Sequence, residues 1–175
     1  MLVNVNSRIL LHQGRTFHFV KENVTLENGV TVDLEIVRHP GAAAIVALSS
    51  PKTVVLLRQY RHALGRHIWE IPAGTLNPSE SALECAKREL VEETGYSAAE
   101  WRKLGEITPV PGYSDERIHL FLAGSLSPAK QNLDHDEVLD VHEVQLEEAM
   151  KMVSRGDIQD GKTICSLFLA KAACQ

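Results

Sequence analysis

Residues 74–96 read GTLNPSESALECAKRELVEETGY, and this stretch carries a helix together with its punctuation. Asn77 can cap the helix, Pro78 suits a first helical position that needs no N–H, and Glu80 stands three residues after the cap. Gly95 is placed to end it. The reading predicts a helix over 79–94. At ~100° per residue, Ala82, Leu83, Ala86 and Leu90 share one arc, which should pack on a sheet. Glu93 falls inside that arc and Glu89 at its edge, with Glu92 further round on the same side as Glu89.

This placement of acids is unfavourable for the helix alone. Glu89 and Glu93 are i,i+4 neighbours and Glu89 and Glu92 are i,i+3, spacings at which like charges cost ~0.2–0.5 kcal/mol per pair. All three stand in the last two turns, where the helix dipole disfavours an anion by ~0.3–1 kcal/mol. Partial burial raises each penalty. A bound divalent cation would remove the repulsion, and ligands made only of oxygen favour Mg²⁺ or Mn²⁺ over zinc.

Outward from the helix, the chain is a mixture of strands and helices without a regular βαβ rhythm. ENVTLENGVTVDLEIV (22–37) sets Asn28-Gly29 between two alternating runs, a hairpin signal because that pair accepts positive φ. AAAIVAL (42–48) is a short apolar run of the kind found in buried strands, VVLLRQY (54–60) a second strand and HIWEIPA (67–73) a third. Further strands are expected at 102–108, 117–123 and 138–144, with helices near 146–154 and 163–173. The class is α+β, a mixed sheet between helices. Residues 1–40 are expected to form a separate N-terminal antiparallel β element, and 41–175 the main domain.

The bulk numbers exclude some functions. A length of 175 residues suits one domain with a small addition, large enough to build a core without disulfides. The net charge of −5 disfavours nucleic acid as a partner, so an anionic substrate needs a local cationic device. Cys85, Cys165 and Cys174 form no CxxC pair and are read as free thiols of a reducing compartment. MLVNVNSRILLHQGR (1–15) lacks the features of a signal peptide, and no apolar run is long enough for a membrane span, so a cytoplasmic location is expected. Trp69 and Trp101 are read as packing residues, and His62 and His67 as loop and strand-edge residues without zinc spacing.

Residues 74–96 also match G-x5-E-x7-R-E-U-x-E-E-x-G-U in full, with U a bulky apolar residue. The fixed positions are Gly74, Glu80, Arg88, Glu89, Glu92, Glu93 and Gly95, with Leu90 and Tyr96 at the apolar ones. At roughly one chance in twenty per fixed residue, the match arises by accident about once in 10⁹ starting points. It resembles the Nudix box, and the resemblance implies an α/β/α sandwich with a mixed sheet and a hydrolase that cuts pyrophosphate bonds with the help of Mg²⁺, with Mn²⁺ as a substitute. By the same resemblance Glu89, Glu92, Glu93 and the carbonyl of Ala73 would hold metal, and Glu80 and Arg88 would form a supporting ion pair.

The flanks narrow the expectation. RQYRHALGRHIWEIPAG (58–74) and PVPGYSDERIHLFLA (109–123), with Pro111 sixteen residues after Gly95, resemble the ADP-ribose and nucleoside diphosphate sugar pyrophosphatases of that family. The resemblance implies that Arg61, Glu70 and Arg58 bind the nucleotide sugar, arginine being suited to phosphate by its planar fork. It also implies a homodimer formed through the N-terminal segment. A general base is expected in the acidic stretch NLDHDEVLDV (132–141), where Glu137 matches best and Asp134 and Asp136 are rivals. Box glutamates engaged with cations are poor bases, although Glu92 and Glu93 stand with Glu137 as the candidate catalytic acids. ADP-ribose is the first expected substrate. The alternatives are a nucleoside triphosphate pyrophosphohydrolase and a non-catalytic ADP-ribose-binding sensor.

Overall fold

A computed structural model describes residues 3–173. The chain divides into two compact units: residues up to Gly41 together with Thr108–Arg117, and Ala42–Ile107 together with the chain from Ile118 onward. Pro111 therefore belongs to the first unit.

The first unit carries an antiparallel sheet in the order β1 (Asn4–Gln13), β2 (His18–Thr25), β3 (Thr31–Arg38). The Asn28-Gly29 signal marks the β2–β3 hairpin, but the connection is longer than a two-residue turn. Thr25 pairs with Thr31, and Leu26 and Val30 close the loop through a backbone bond of 2.9 Å. Gly29 takes φ +83°, and Asn28 Oδ1 accepts the Val30 N–H at 3.1 Å. β2 buries Val20, Glu22 and Val24 on one face, as period-two alternation requires.

The second unit is built on β4 (Ala42–Ser50) and β5 (Thr53–Arg61), whose apolar runs are almost wholly buried. Next come β6 (Arg66–Glu70) and β7 (Ala73–Thr75), two strands where the sequence suggested one over 67–73. Ile71 and Pro72 leave the ladder between them, and β6 pairs with β5 while β7 pairs with β4. After helix α1 (Ala82–Thr94) follow β8 (Tyr96–Ile107), β9 (Ile118–Pro128), β10 (Leu139–Gln145), α2 (Leu146–Ser154) and α3 (Gly161–Ala173). The main path runs β10-β5-β4-β9-β8, and β4–β9 is its parallel pair.

β4 divides the core in two because its side chains alternate. Ala42, Ala44 and Val46 join Leu56, Met152, Leu167 and Ala170 under α2 and α3. Ala43, Ile45 and Ala47 join Val55, Cys85, Ala86 and Leu90 under α1. The result is the α/β/α sandwich with a mixed sheet. Trp69 packs against the first cluster and Trp101 against the second, as the packing reading expected. Cys85 is buried and Cys165 exposed, both free thiols, while Cys174 lies outside the described residues. Among the described residues no helix is long and apolar enough to cross a membrane.

Candidate active site

The helix that carries the acids starts later than its sequence suggested. Ser81, not Asn77, is the N-cap, and the helix begins at Ala82 rather than 79. The reason is a reciprocal capping box. Ser81 Oγ accepts the Glu84 N–H at 3.3 Å and Glu84 Oε2 accepts the Ser81 N–H at 2.9 Å, satisfying two orphan donors at once. Asn77 and Glu80 instead close a turn before the helix, with the Asn77 N–H on Glu80 Oε2 at 2.9 Å. Gly95 ends the helix as expected, at φ +71° with its N–H on Val91 O.

The buried arc is also displaced. It contains Cys85, Ala86, Glu89, Leu90, Glu93 and Thr94, whereas Leu83 in the first turn is exposed. Glu89 therefore lies within the buried face instead of at its edge. Glu92 remains partly open to solvent.

Tertiary contacts set the three acids in different environments. Glu89 lies against Gly74 so closely that a Cβ there would come within 1.8 Å of Glu89 Oε1. Glu93 is 2% exposed and accepts the Ala73 N–H on Oε2 at 2.8 Å. It is thus the N–H of Ala73 that reaches an acid here. Arg88 spans the group: Nε and Nη2 grip the two oxygens of Glu80, both at 2.8 Å, and Nη1 reaches Glu89 Oε1 at 2.6 Å and Glu92 Oε2 at 2.9 Å. The expected Glu80–Arg88 pair is present, and Arg88 holds the Glu80 carboxyl at a pKa of about 2. Arg88 Nη2 and Cys85 Sγ also bond the carbonyl of Thr75, pinning the strand-to-helix loop to α1.

Burial pushes the Glu89 carboxyl above the ordinary carboxylate range, although Arg88 opposes the shift. Burial pushes Glu93 well above it, and the Glu89 charge adds to the effect. Among the described residues no three His, Cys, Asp or Glu side chains stand together as they would around a metal ion. Glu89 and Glu92 bond Arg88, and Glu93 bonds a backbone N–H. The donor set still fits a hard divalent cation. It is oxygen only, it stands on one rigid helix, and its two most buried members are destabilised as anions.

The acidic loop faces the same place. Its approach is fixed by the C-terminal carbonyls of α1, which helices leave unsatisfied. Ala129 N–H bonds Gly95 O at 2.7 Å, the Gln131 side-chain amide bonds Glu93 O at 2.6 Å, and Asn132 N–H bonds Glu92 O at 3.0 Å. Glu137 is the loop acid whose charge reaches both Glu89 and Glu93, raising the pKa of each a little beside the larger effect of burial. Its Oε2 accepts the Asp134 N–H at 3.0 Å, while Asp134 and Asp136 are exposed.

Arg61 and Glu70 meet as a two-pronged pair, Nε–Oε1 at 3.0 Å and Nη2–Oε2 at 2.5 Å. Glu70 is buried, and the side chain of Arg61 is 41% exposed. Arg58 stands on the opposite face of β5, its guanidinium 6.0 Å from the Trp69 ring centre, and has no part in this pair. Sequence reading missed Lys162, whose Nζ bonds Glu70 Oε2 at 3.1 Å and Asp160 Oδ2 at 3.0 Å. The available signal was the run Asp160-Gly161-Lys162-Thr163, an N-cap followed by two polar residues. Nothing local to it points across 92 residues to Glu70.

Box acids on a short-loop helix, set under one face of a mixed sheet, define a Nudix hydrolase type of site. The NUDIX domain family matches residues 38–167, and the chain belongs to that family. An ADP-ribose pyrophosphatase of Bacillus subtilis is 41% identical over 155 residues, 87% of this chain and 84% of the relative. A methanol dehydrogenase activator of Bacillus methanolicus is 41% identical over 160 residues, covering 90% and 86%. A GDP-mannose pyrophosphatase of Escherichia coli O1:K1 is 33% identical over 180 residues, covering 93% and 91%. The crystal structure of an ADP compounds hydrolase superposes with a TM-score of 0.86, covering 99% of this chain and 94% of that one; at 22% identity the likeness is one of fold.

Proposed function

We propose that this protein hydrolyses the pyrophosphate bond of ADP-ribose or a related nucleoside diphosphate sugar, releasing a nucleoside monophosphate and a sugar phosphate. The observation that carries this reading is the pair of buried carboxylates, Glu89 and Glu93, set beside Glu92 on one helix. Each is destabilised as an anion in a way that a bound cation would reverse. The relatives named for ADP-ribose and GDP-mannose support the substrate class. All box acids are in place, which favours an enzyme over a sensor.

Glu89, Glu92 and Glu93 would hold Mg²⁺, or Mn²⁺ in its place. Bound there, a divalent cation screens the diphosphate charge that otherwise repels a nucleophile. Arg88 orients Glu89 and Glu92 from the side. Arg61, with its exposed guanidinium, and Glu70 bind the nucleotide. Arg58, on the opposite face of β5 from Arg61, plays a lesser part. Glu137 accepts the proton of the attacking water, whose oxygen bonds phosphorus as the bridging P–O bond breaks.

The test is a product assay with Mg²⁺ and a panel of ADP-ribose, GDP-mannose, UDP-glucose, diadenosine polyphosphates, NADH and nucleoside triphosphates. Hydrolysis of a diphosphate sugar, abolished by EDTA and restored by Mg²⁺, is expected. Activity that persists in excess EDTA, or confined to triphosphates, refutes the reading.

The unit built on β1–β3 supports a homodimer. β1 is an edge strand exposed over its whole length, and Val5, Ile9, Leu10 and Leu11 are open to solvent on it. Such edges find partners. Light scattering at micromolar concentration should give twice the mass of the chain; a monomer would refute it.

A further inference from the structure

We propose that Lys162, at the start of α3, is a positioning residue for substrate recognition. Its ammonium holds Glu70 in the pose that lets Arg61 present its open edge to the nucleotide sugar. The inference rests on the substrate class proposed above and on the part given there to Arg61 and Glu70.

Glu70 is a buried carboxylate whose side chain is 4% exposed, and it survives as an anion because two cations hold it. Arg61 and Lys162 together keep its pKa below the ordinary range against the opposite pull of burial. The two cations differ in freedom. Arg61 carries a side chain 41% exposed on a strand end, and its contact with Glu70 uses Nε and Nη2. The Lys162 side chain is 13% exposed and is fixed on both sides, by Glu70 and by Asp160.

Asp160 is fixed in turn. It caps α3, its Oδ2 accepting the Thr163 N–H at 3.0 Å and the Thr163 hydroxyl at 2.5 Å. Thr163 Oγ1 accepts the Ile71 N–H at 2.9 Å, one residue beyond Glu70. The start of α3 is thereby hooked to the chain at Glu70 through both backbone and side chain. Arg61 and Lys162 balance Glu70 and Asp160 in charge. Removal of Lys162 leaves the buried Glu70 carboxylate held from one side only, by the two-pronged Arg61 contact. A Glu70 no longer fixed by Lys162 lets the paired guanidinium shift with it, away from the pose that meets a diphosphate or a base.

The experiment measures kcat and KM for ADP-ribose and GDP-mannose in saturating Mg²⁺ for wild type, Lys162→Met, Lys162→Arg, Glu70→Gln and the Lys162→Met/Glu70→Gln double variant. Thermal melting is recorded for each. Expected for Lys162→Met is a KM raised about tenfold with kcat within about threefold. Lys162→Arg should return most of the loss. In the Glu70→Gln background the Lys162 change should add little, because the group it positions is gone. A Lys162→Met enzyme with unchanged KM, or one that loses kcat and KM performance only in proportion to its melting, overturns the proposal. So does additivity of the two substitutions. If neither Lys162→Met nor Lys162→Ala can be recovered folded, the residue is structural and the proposal falls. A wild-type protein that cleaves no diphosphate sugar refutes the proposed function instead, an outcome visible before any variant is made.

Discussion

Glu22 of the N-terminal sheet and Glu93 of α1 are the same residue type, each 2% exposed, and the protein treats them in opposite ways. Glu22 Oε1 accepts from Arg8 Nε at 2.5 Å and from Arg38 Nη2 at 2.7 Å. Arg38 holds its pKa below the ordinary range in spite of burial. Glu93 accepts one backbone N–H, has the like charge of Glu89 as its leading electrostatic neighbour, and is pushed well above that range. A buried carboxylate with its own cations is part of the scaffold. A buried carboxylate set against another is incomplete without something from outside, and that difference separates a structural acid from a functional one.

The comparison breaks most directly at Glu93. Glu93→Gln should lower turnover by ~10³-fold or more, the loss of several kcal/mol of charge stabilisation. In EDTA the same variant should melt at or above the wild-type temperature, because the amide oxygen still accepts the Ala73 N–H and the repulsion from Glu89 is gone. Wild-type turnover in saturating Mg²⁺ would show that Glu93 is as structural as Glu22.

Glu137→Gln separates proton transfer from cation binding. Turnover should fall by ~10²-fold or more with substrate affinity little changed, as for a lost general base. A drop within a few-fold of wild type would transfer the role to Asp134 or Asp136, or remove it from the loop.

Gly74→Ala tests whether the space beside Glu89 is functional. The new methyl group would occupy the place of the Glu89 carboxylate, which is the far end of a flexible side chain. The backbone of Gly74 has no positive φ to lose. Turnover should therefore fall by roughly ten- to a hundredfold, the scale seen when groups that orient metal ligands are disturbed, while melting changes little. Equal losses in both would make Gly74 a packing residue only.

The smallest effect lies at Glu22. Glu22→Gln should cost about 1.5–3 kcal/mol in denaturant unfolding, the range for hydrogen bonds to charged groups, and leave kcat per folded molecule unchanged. Because the folded pKa of Glu22 is lowered, its contribution is complete above the unfolded carboxylate value of 4.5 and is lost as pH falls through the folded value. Wild type and variant should therefore converge in stability as the pH drops below 4.5. A gap that stays constant with pH would assign the loss to packing rather than charge.

The helix of the box was legible in the sequence because its signals are local and repeated. Acids at i, i+3 and i+4, the closing Gly95 and the short apolar runs of β4 and β5 all act within a few residues of one another, and the structure keeps each. The start of the helix was misread because two caps competed. Asn77-Pro78 is a plausible opening, but Ser81-x-x-Glu84 satisfies two backbone donors and prevails. Leu83 was read as buried from its angle alone, which takes no account of where along its length the helix meets the sheet.

The sequence by itself determined the family, the fold class, the acids of the box and the Arg88–Glu80 pair, since all of these lie in one continuous motif whose spacing is the chemistry. The tertiary structure alone decided what surrounds them. The space at Gly74 that receives Glu89, the anchoring of residues 129–132 on the open carbonyls of α1, the two cations on Glu22 and the reach of Lys162 to Glu70 all join residues far apart in the chain. Such pairings depend on which strand lies beside which and on which charges are shut away from water together, and only the folded chain fixes those distances.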